Sequence, residues 1–271
     1  MRDMEAGFKQ KAFNIRKRTL DLIYRAQVAH SACALSCVEI LTALYEVADK
    51  NKIRNQENDR DRIILSKGHA IAAQLSALCE YGLLEEEQLL GFCRNGSAFP
   101  ENTSAYTPYI EIATGSLGQG MSFGVGAALG MKLRHYDKCR VYVIVGDGEL
   151  NEGQNWEAIQ QAGCRGLDNL VILVDANGLA GIQETCIKGD LRQKFEAFHF
   201  ETKIVKGNDV AELVNCLRYG SEKNLPRAVI CSTTKGSGIS FMENNNDWHY
   251  RPISENDYRR IQDEMRNSYE R

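Results

Sequence analysis

Val143-Ile144-Val145-Gly146-Asp147-Gly148-Glu149-Leu150-Asn151-Glu152-Gly153, followed by Val171-Ile172-Leu173-Val174-Asp175-Ala176-Asn177-Gly178, is the stretch whose reading decides the fold. An apolar run enters a Gly-Asp-Gly turn, and a helical stretch over 155–165 leaves it. That strand-turn-helix layout aims backbone N–H groups at an anion. The glycines let phosphate oxygens approach the backbone. Asp147 offers a hard anionic oxygen at one strand end, and Asn177 a neutral one at the end of the next apolar run. With one backbone carbonyl beyond the second turn, such a pair suits Mg²⁺ held jointly with a diphosphate. The competing reading is two ordinary strand-ending turns, because Asp-Gly and Asn-Gly are common turn dipeptides.

Outward from this stretch, apolar residues recur at helical spacing over 14–29 and 36–48, with a short break around His30. A brief strand over 62–65 and a helix over 70–81 follow. The segment 117–135 reads as a helix although it holds Gly118, Gly120, Gly124, Gly126 and Gly130. A mid-helix glycine costs about 0.5–1 kcal/mol relative to alanine, so close approach of another backbone is expected there. That backbone belongs either to the sheet layers or to a second subunit, and the family resemblance given below tips the expectation toward the subunit interface. Beyond the cradle come a helix over 191–199, a strand over 200–205, a helix over 209–220 and a strand over 227–232. The alternation predicts an α/β fold, a mostly parallel sheet with helices on both faces. Ligands of such sheets sit at the carboxyl ends of the strands, where Asp147, Asn177 and Lys235 all fall. One domain over 1–252 and a charged helical tail over 253–271, read as a solvated cap, account for the chain.

The 43% hydrophobic content of these 271 residues supports a sizeable core. Net charge is −3 with both signs interspersed, which leaves no electrostatic footprint for nucleic acid and no basic stripe for a membrane. No stretch reaches membrane-spanning length and the N-terminal region lacks an apolar signal core, so a cytoplasmic protein is expected. Nine cysteines, an odd number and without a Cys-x-x-Cys pair, read as buried reduced thiols.

Twenty-seven residues separate Gly148 from the Ala176-Asn177 pair, and this spacing resembles the thiamine diphosphate fingerprint. Three further segments narrow the resemblance to transketolase, and within it to the N-terminal subunit that some organisms make as a separate chain. They are Leu65-Ser66-Lys67-Gly68-His69-Ala70, Thr114-Gly115-Ser116-Leu117-Gly118-Gln119-Gly120, and Lys235-Gly236-Ser237-Gly238 running to Trp248-His249. The similarity extends from about Ile15 to His249.

The resemblance implies thiamine diphosphate with Mg²⁺, or Ca²⁺ or Mn²⁺ in its place. Asp147, Asn177 and the backbone carbonyl of Leu179 would hold the metal. Gly148, His69 and His249 would contact the diphosphate, Leu117 would pack near the thiazolium, and Ser116, Gly118, Gly146, Glu149 and Lys235 belong to the same cofactor-binding motifs. His30 resembles the histidine that faces substrate, and Glu152 the glutamate that links two active sites across a dimer interface. His30, His69, Glu152 and His249 are thus the catalytic candidates. Taken singly, His30 or His69 reads equally as a hydrogen-bonded structural histidine, and Glu152 as a residue favoured by a helix dipole.

The activity implied is transfer of a two-carbon ketol or acyl unit from a ketose-type donor to an aldehyde acceptor. In the family the glutamate that activates the cofactor's pyrimidine belongs to a second domain, and the chain ends about twenty residues past His249. The expected partner is therefore a separate C-terminal chain carrying that domain, in an α2β2 assembly that binds small sugar or keto substrates.

Where the family reads Gly-His-x-Gly-Gly-Ser-Leu-Ser, this chain has Ala29-His30-Ser31-Ala32-Cys33-Ala34-Leu35-Ser36. The family's Gly-His-Pro is absent from 97–102, and Tyr250 stands where glycine commonly follows Trp-His. These departures fall on the substrate side, so a specialised substrate is expected. Two alternatives remain open: a decarboxylating acyl transfer from a 2-oxo acid, and a non-catalytic half that binds the cofactor for a partner.

Overall fold

The computed structural model describes residues 2–181, 183–187 and 189–269. Five strands, β1 (Arg62–Leu65), β2 (Val141–Gly146), β3 (Leu170–Ala176), β4 (Glu201–Lys206) and β5 (Arg227–Ser232), form one parallel sheet in the order β1-β2-β3-β5-β4. β2 and β3 are apolar without alternation because both of their faces are buried. Tyr142, Ile144, Val171, Leu173 and Val229 enter one core cluster, while Val141, Val143, Val145, Ile172 and Val174 enter the other. The period of two along each strand thus divides the interior into two layers.

The first layer is covered by α1 (Arg2–Ala26), α2 (Ser31–Ser36), α3 (Val38–Val47), α5 (Ile71–Glu80) and α9 (Val210–Arg218), with α4 (Lys50–Arg54) a short turn capped by Asp49. The helix expected over 14–29 begins twelve residues earlier, at Arg2. Its first half is polar, but Phe8, Ala12 and Ile15 fall at i, i+4 and i+7 and are buried. The helix expected over 36–48 is divided at Cys37, whose backbone (φ −107°, ψ 11°) separates α2 from α3. His30, with φ 69°, turns the chain into α2, all six residues of which are buried.

The second layer is covered by α6 (Gln119–Leu133), α7 (Gly153–Cys164) and α8 (Leu191–Ala197). The glycines of α6 divide by face. A Cβ on Gly120 would stand 2.5 Å from Ser66 Oγ, and one on Gly124 would stand 2.3 Å from Val143 Cγ2. These two let the helix lie against β1 and β2, whereas Gly126 and Gly130 meet nothing within 4 Å.

The tail forms α10 (Glu255–Tyr269), on which Ile261 and Met265 are buried and Tyr258 stacks on Tyr24 of α1, centroids 3.9 Å apart. Its apolar stripe is therefore part of the first core layer. Met1, Ile182, Lys188, Glu270 and Arg271, which the expected domain and tail include, lie outside the described residues. All nine cysteines are free; Cys33, Cys37, Cys139 and Cys231 are buried, and Cys164 and Cys186 are exposed. No helix of the described residues is long and apolar enough to cross a membrane.

Candidate cofactor and metal site

The carboxyl ends of four adjacent strands, β1, β2, β3 and β5, open into one cleft of about 110 Å³. On leaving β2, Asp147 accepts hydrogen bonds from the Gly148 N–H at Oδ1 (2.8 Å) and from the Gly178 N–H at Oδ2 (2.6 Å). One carboxylate therefore ties together the turns that end β2 and β3. Burial, and then the neighbouring Asp175 carboxylate, push its pKa up to about 6. Asn177, leaving β3, donates from Nδ2 to Ser36 Oγ (3.4 Å), while its Oδ1 accepts from the Leu179 N–H (3.0 Å).

The fit to a metal and a diphosphate can be judged from the donor set and the available space. Asp147, Asn177 and Leu179 offer a carboxylate, an amide oxygen and a carbonyl, all hard oxygens of the kind Mg²⁺ takes. A Cβ at Gly148 would come within 3.1 Å of Ala180 Cα and 3.7 Å of the Leu179 carbonyl, filling this space. The residues present fit the group.

Beneath this floor lies a buried ion pair between Lys67 and Asp175. Asp175 also accepts from Ser36 and Thr233, and Lys67 donates to the Cys33 carbonyl at 3.0 Å. Burial works against both charges, but each outweighs the penalty on the other: Lys67 is held above its ordinary range and Asp175 below. The motif reading contains both residues without pairing them. A carboxylate inside a buried apolar strand is the signal that could have done so, since such a charge requires a partner.

His30, His69 and His249 gather above the floor, with centroids 5.1 Å (His30–His69), 5.3 Å (His30–His249) and 5.6 Å (His69–His249) apart. Trp248, buried and donating to the Phe241 carbonyl (3.1 Å), anchors the turn that returns His249 to α2. There the His249 carbonyl accepts the His30 N–H at 2.9 Å. Lys235 spends its three N–H bonds on the Ala180 carbonyl (2.9 Å), Asn246 Oδ1 (2.6 Å) and His249 Nδ1 (3.0 Å), so its charge and not a free N–H reaches the cleft. With Nδ1 accepting, Nε2 is the proton-bearing nitrogen of His249. Burial, then Lys235, depress His249 to about 3. Burial, then Lys67, hold His69 well below its ordinary range, and burial also lowers His30 against the opposing pull of Glu101.

The remaining candidates occupy distinct places. Glu149 lines the cleft, yet its oxygens accept from Ser66 Oγ, the Gly118 N–H (2.9 Å) and the Gly146 N–H (3.3 Å), clamping the loop before α6 to β1 and β2. The Gly118 N–H is therefore directed at Glu149. Leu117 lines the cleft, whereas Ser116 is exposed and stands outside its lining. Glu152 is exposed at the N-cap of α7, makes no capping bond, and lies against Gly118. His30 sits on the rim, where its Nδ1 is 3.3 Å from Glu101 Oε1. Tyr250 packs on His249 (4.5 Å) and His30 (5.3 Å), and Phe99 of the histidine-free 97–102 segment is buried in the core. The sequence pattern singles out neither Glu101 as a partner of His30 nor Cys33 as a cleft residue.

Residues 8–269 match the family described as transketolase, thiamine diphosphate binding domain. The chain is 38% identical over 249 residues to one subunit of the apulose-4-phosphate transketolase of Actinobacillus succinogenes, covering 90% of each chain. It is 35% identical over 249 residues to 6-deoxy-6-sulfo-D-fructose transketolase subunit SqwG of a Clostridium species, again covering 90% of each. Among solved structures, transketolase of Campylobacter jejuni superposes with a TM-score of 0.86 at 28% identity, over 95% of this chain and 42% of that one. From the match along nearly its whole length and the sheet-end site that carries the motifs, this chain belongs to the transketolase family, as a form of its thiamine diphosphate binding domain.

Proposed function

We propose that this chain is the diphosphate-binding half of a split transketolase. It holds thiamine diphosphate through Mg²⁺ and completes its active site with a separate C-terminal subunit in an α2β2 assembly. The observation that carries the reading is the convergence of four separate motif segments on one cleft at the ends of β1, β2, β3 and β5. Asp147, Asn177 and the Leu179 carbonyl are the metal ligands. Gly148 leaves room for the diphosphate, and the neutral His69 and His249 rings present N–H donors to it. Lys235 adds positive charge without leaving its three bonds.

Bound there, thiamine diphosphate would supply the carbanion-stabilising chemistry needed to break the bond next to a ketose carbonyl. The chain's own contribution is to orient and to exclude water: Leu117 walls the cleft beside Glu149, and Tyr250 covers His249. Glu152 faces the outer side, toward a second active site. The substrate is a specialised anionic sugar, a phosphate or a sulfonate. The two relatives above are named for apulose 4-phosphate and 6-deoxy-6-sulfofructose, and the histidine-free 97–102 segment here brings Glu101 to the rim.

Calorimetric titration with thiamine diphosphate and Mg²⁺ tests the cradle. Asp147→Ala should abolish Mg²⁺-dependent binding in a chain that still melts cooperatively; persistent binding would refute the assignment. For the reaction, the two-subunit enzyme should turn over a ketose phosphate with an aldehyde acceptor. Release of CO₂ from pyruvate with no ketose turnover would favour the decarboxylating alternative.

A further inference from the structure

We propose that Cys33, His69 and His249 form a second metal site, which takes a thiophilic divalent cation such as Zn²⁺ and competes with the cofactor's diphosphate for the cleft. One ligand atom from each of these residues lies within 4.8 Å of the other two. Cys33 Sγ is already 3.2 Å from His249 Nδ1. With Zn–S near 2.3 Å and Zn–N about 2.0–2.1 Å, a tetrahedral ion draws three such ligands together by small side-chain rotations and keeps its fourth position for water or an anion. The chemistry differs from that of the floor. Asp147, Asn177 and Leu179 present oxygen only, whereas sulfur with two imidazoles selects zinc over magnesium.

The ligands are placed before any ion arrives. Cys33 sits in the wholly buried α2, and Lys67 Nζ holds its carbonyl at 3.0 Å. His249 is fixed through its own carbonyl to the His30 N–H. Burial keeps both imidazoles neutral, the form that ligates a metal. Burial pushes the Cys33 thiol pKa up against the opposing pull of the Lys67 and Lys235 charges, and coordination displaces the thiol proton to solvent. Lys235 gives up one bond, to His249 Nδ1, and retains those to the Ala180 carbonyl and Asn246 Oδ1. The competition rests on the proposed function, which assigns His69 and His249 to the diphosphate; the metal site itself does not.

The full chain, freed of cofactor, should be titrated with Co²⁺ as a spectroscopic probe and then with Zn²⁺. One Co²⁺ per chain is expected, with a thiolate-to-metal charge-transfer band that Zn²⁺ erases. Cys33→Ala should remove the band and weaken Zn²⁺ binding about 100-fold, the upper end of what loss of a ligand's supporting partner alone costs. His69→Gln should do the same independently, while a chain carrying Cys164→Ser and Cys186→Ser should keep the band. Thiamine diphosphate with Mg²⁺ should raise the apparent Zn²⁺ Kd in proportion to its concentration. A band that survives Cys33→Ala, or that vanishes with the two exposed cysteines, overturns the site. Equal Zn²⁺ affinity in a chain that calorimetry shows to be carrying the cofactor overturns the competition. A Cys33-dependent band in a chain that never binds thiamine diphosphate leaves the metal site standing and removes the cofactor reading instead.

Discussion

The floor of the cleft and its rim are built on different physical footings. The floor is main chain and buried charge: Asp147 bonded to two backbone N–H groups, Asn177 set by Ser36, and the Lys67–Asp175 pair below, all at the ends of strands packed on both faces. The rim is side chain on loop: Glu101 against His30, and Tyr250 on the two histidines with 62% of its own surface exposed. Changing a floor residue disturbs the sheet as well as the site. Changing a rim residue disturbs only what docks there.

The difference can be attacked at either end. The largest effect is expected at the floor. Lys67→Met leaves the Asp175 carboxylate buried and unpaired, and should lower unfolding free energy by about 3–5 kcal/mol in denaturant titration. An effect below about 1 kcal/mol, the range of an exposed pair, would mean that the floor is not rigid in this sense.

Next in size is the titration of the histidines. The His249 ring should stay neutral through pH 5 and charge only near 3 when followed by NMR, in place of its ordinary midpoint near 6.5. In the unfolded chain these rings bind protons that the folded chain does not, so they lower stability as pH falls below 6.5. Asp147, raised to about 6, acts in the opposite sense between that value and its unfolded pKa of about 3.9, offsetting part of the loss. A His249 midpoint at its ordinary value would show the cluster to be as open as the rim.

On α6, Gly124→Ala drives a methyl into Val143 and should cost about 1–3 kcal/mol of stability. At the rim itself, Glu101→Gln should leave melting and cofactor binding unchanged while lowering kcat/KM of the two-subunit enzyme about tenfold, or roughly 1.4 kcal/mol. A comparable loss of cofactor affinity would erase the distinction between floor and rim. The smallest effect is at the open face of α6, where Gly126→Ala should stabilise by about 0.5–1 kcal/mol in the isolated chain.

Much of this architecture is legible in local pattern. The strands expected over 62–65 and 227–232 coincide with β1 and β5, because a strand buried on both faces must be continuously apolar and turn residues close it sharply. The early start of α1 escapes the pattern because its exposed residues outnumber Phe8, Ala12 and Ile15, although their spacing carries the signal. The division of the helix at Cys37 has no local mark, since α2 is buried all round and shows no amphipathic period there. Glu149 lies in a motif at the end of β2, but its contacts with Ser66 and Gly118 come from residues 83 and 31 positions away.

The sequence by itself determined the alternation of helices and strands, the parallel sheet, and the polar Asp147 and Asn177 that follow two strand ends, because periodicity and turn chemistry act over a few residues. Only the tertiary structure decided the partners of charge and the membership of the cleft. Lys67 meets Asp175 across 108 positions, Cys33 meets His249 across 216, and Glu101 meets His30 across 71. These pairings arise from packing helices and loops onto a common sheet end, where burial forces each polar group to find a partner irrespective of its distance along the chain.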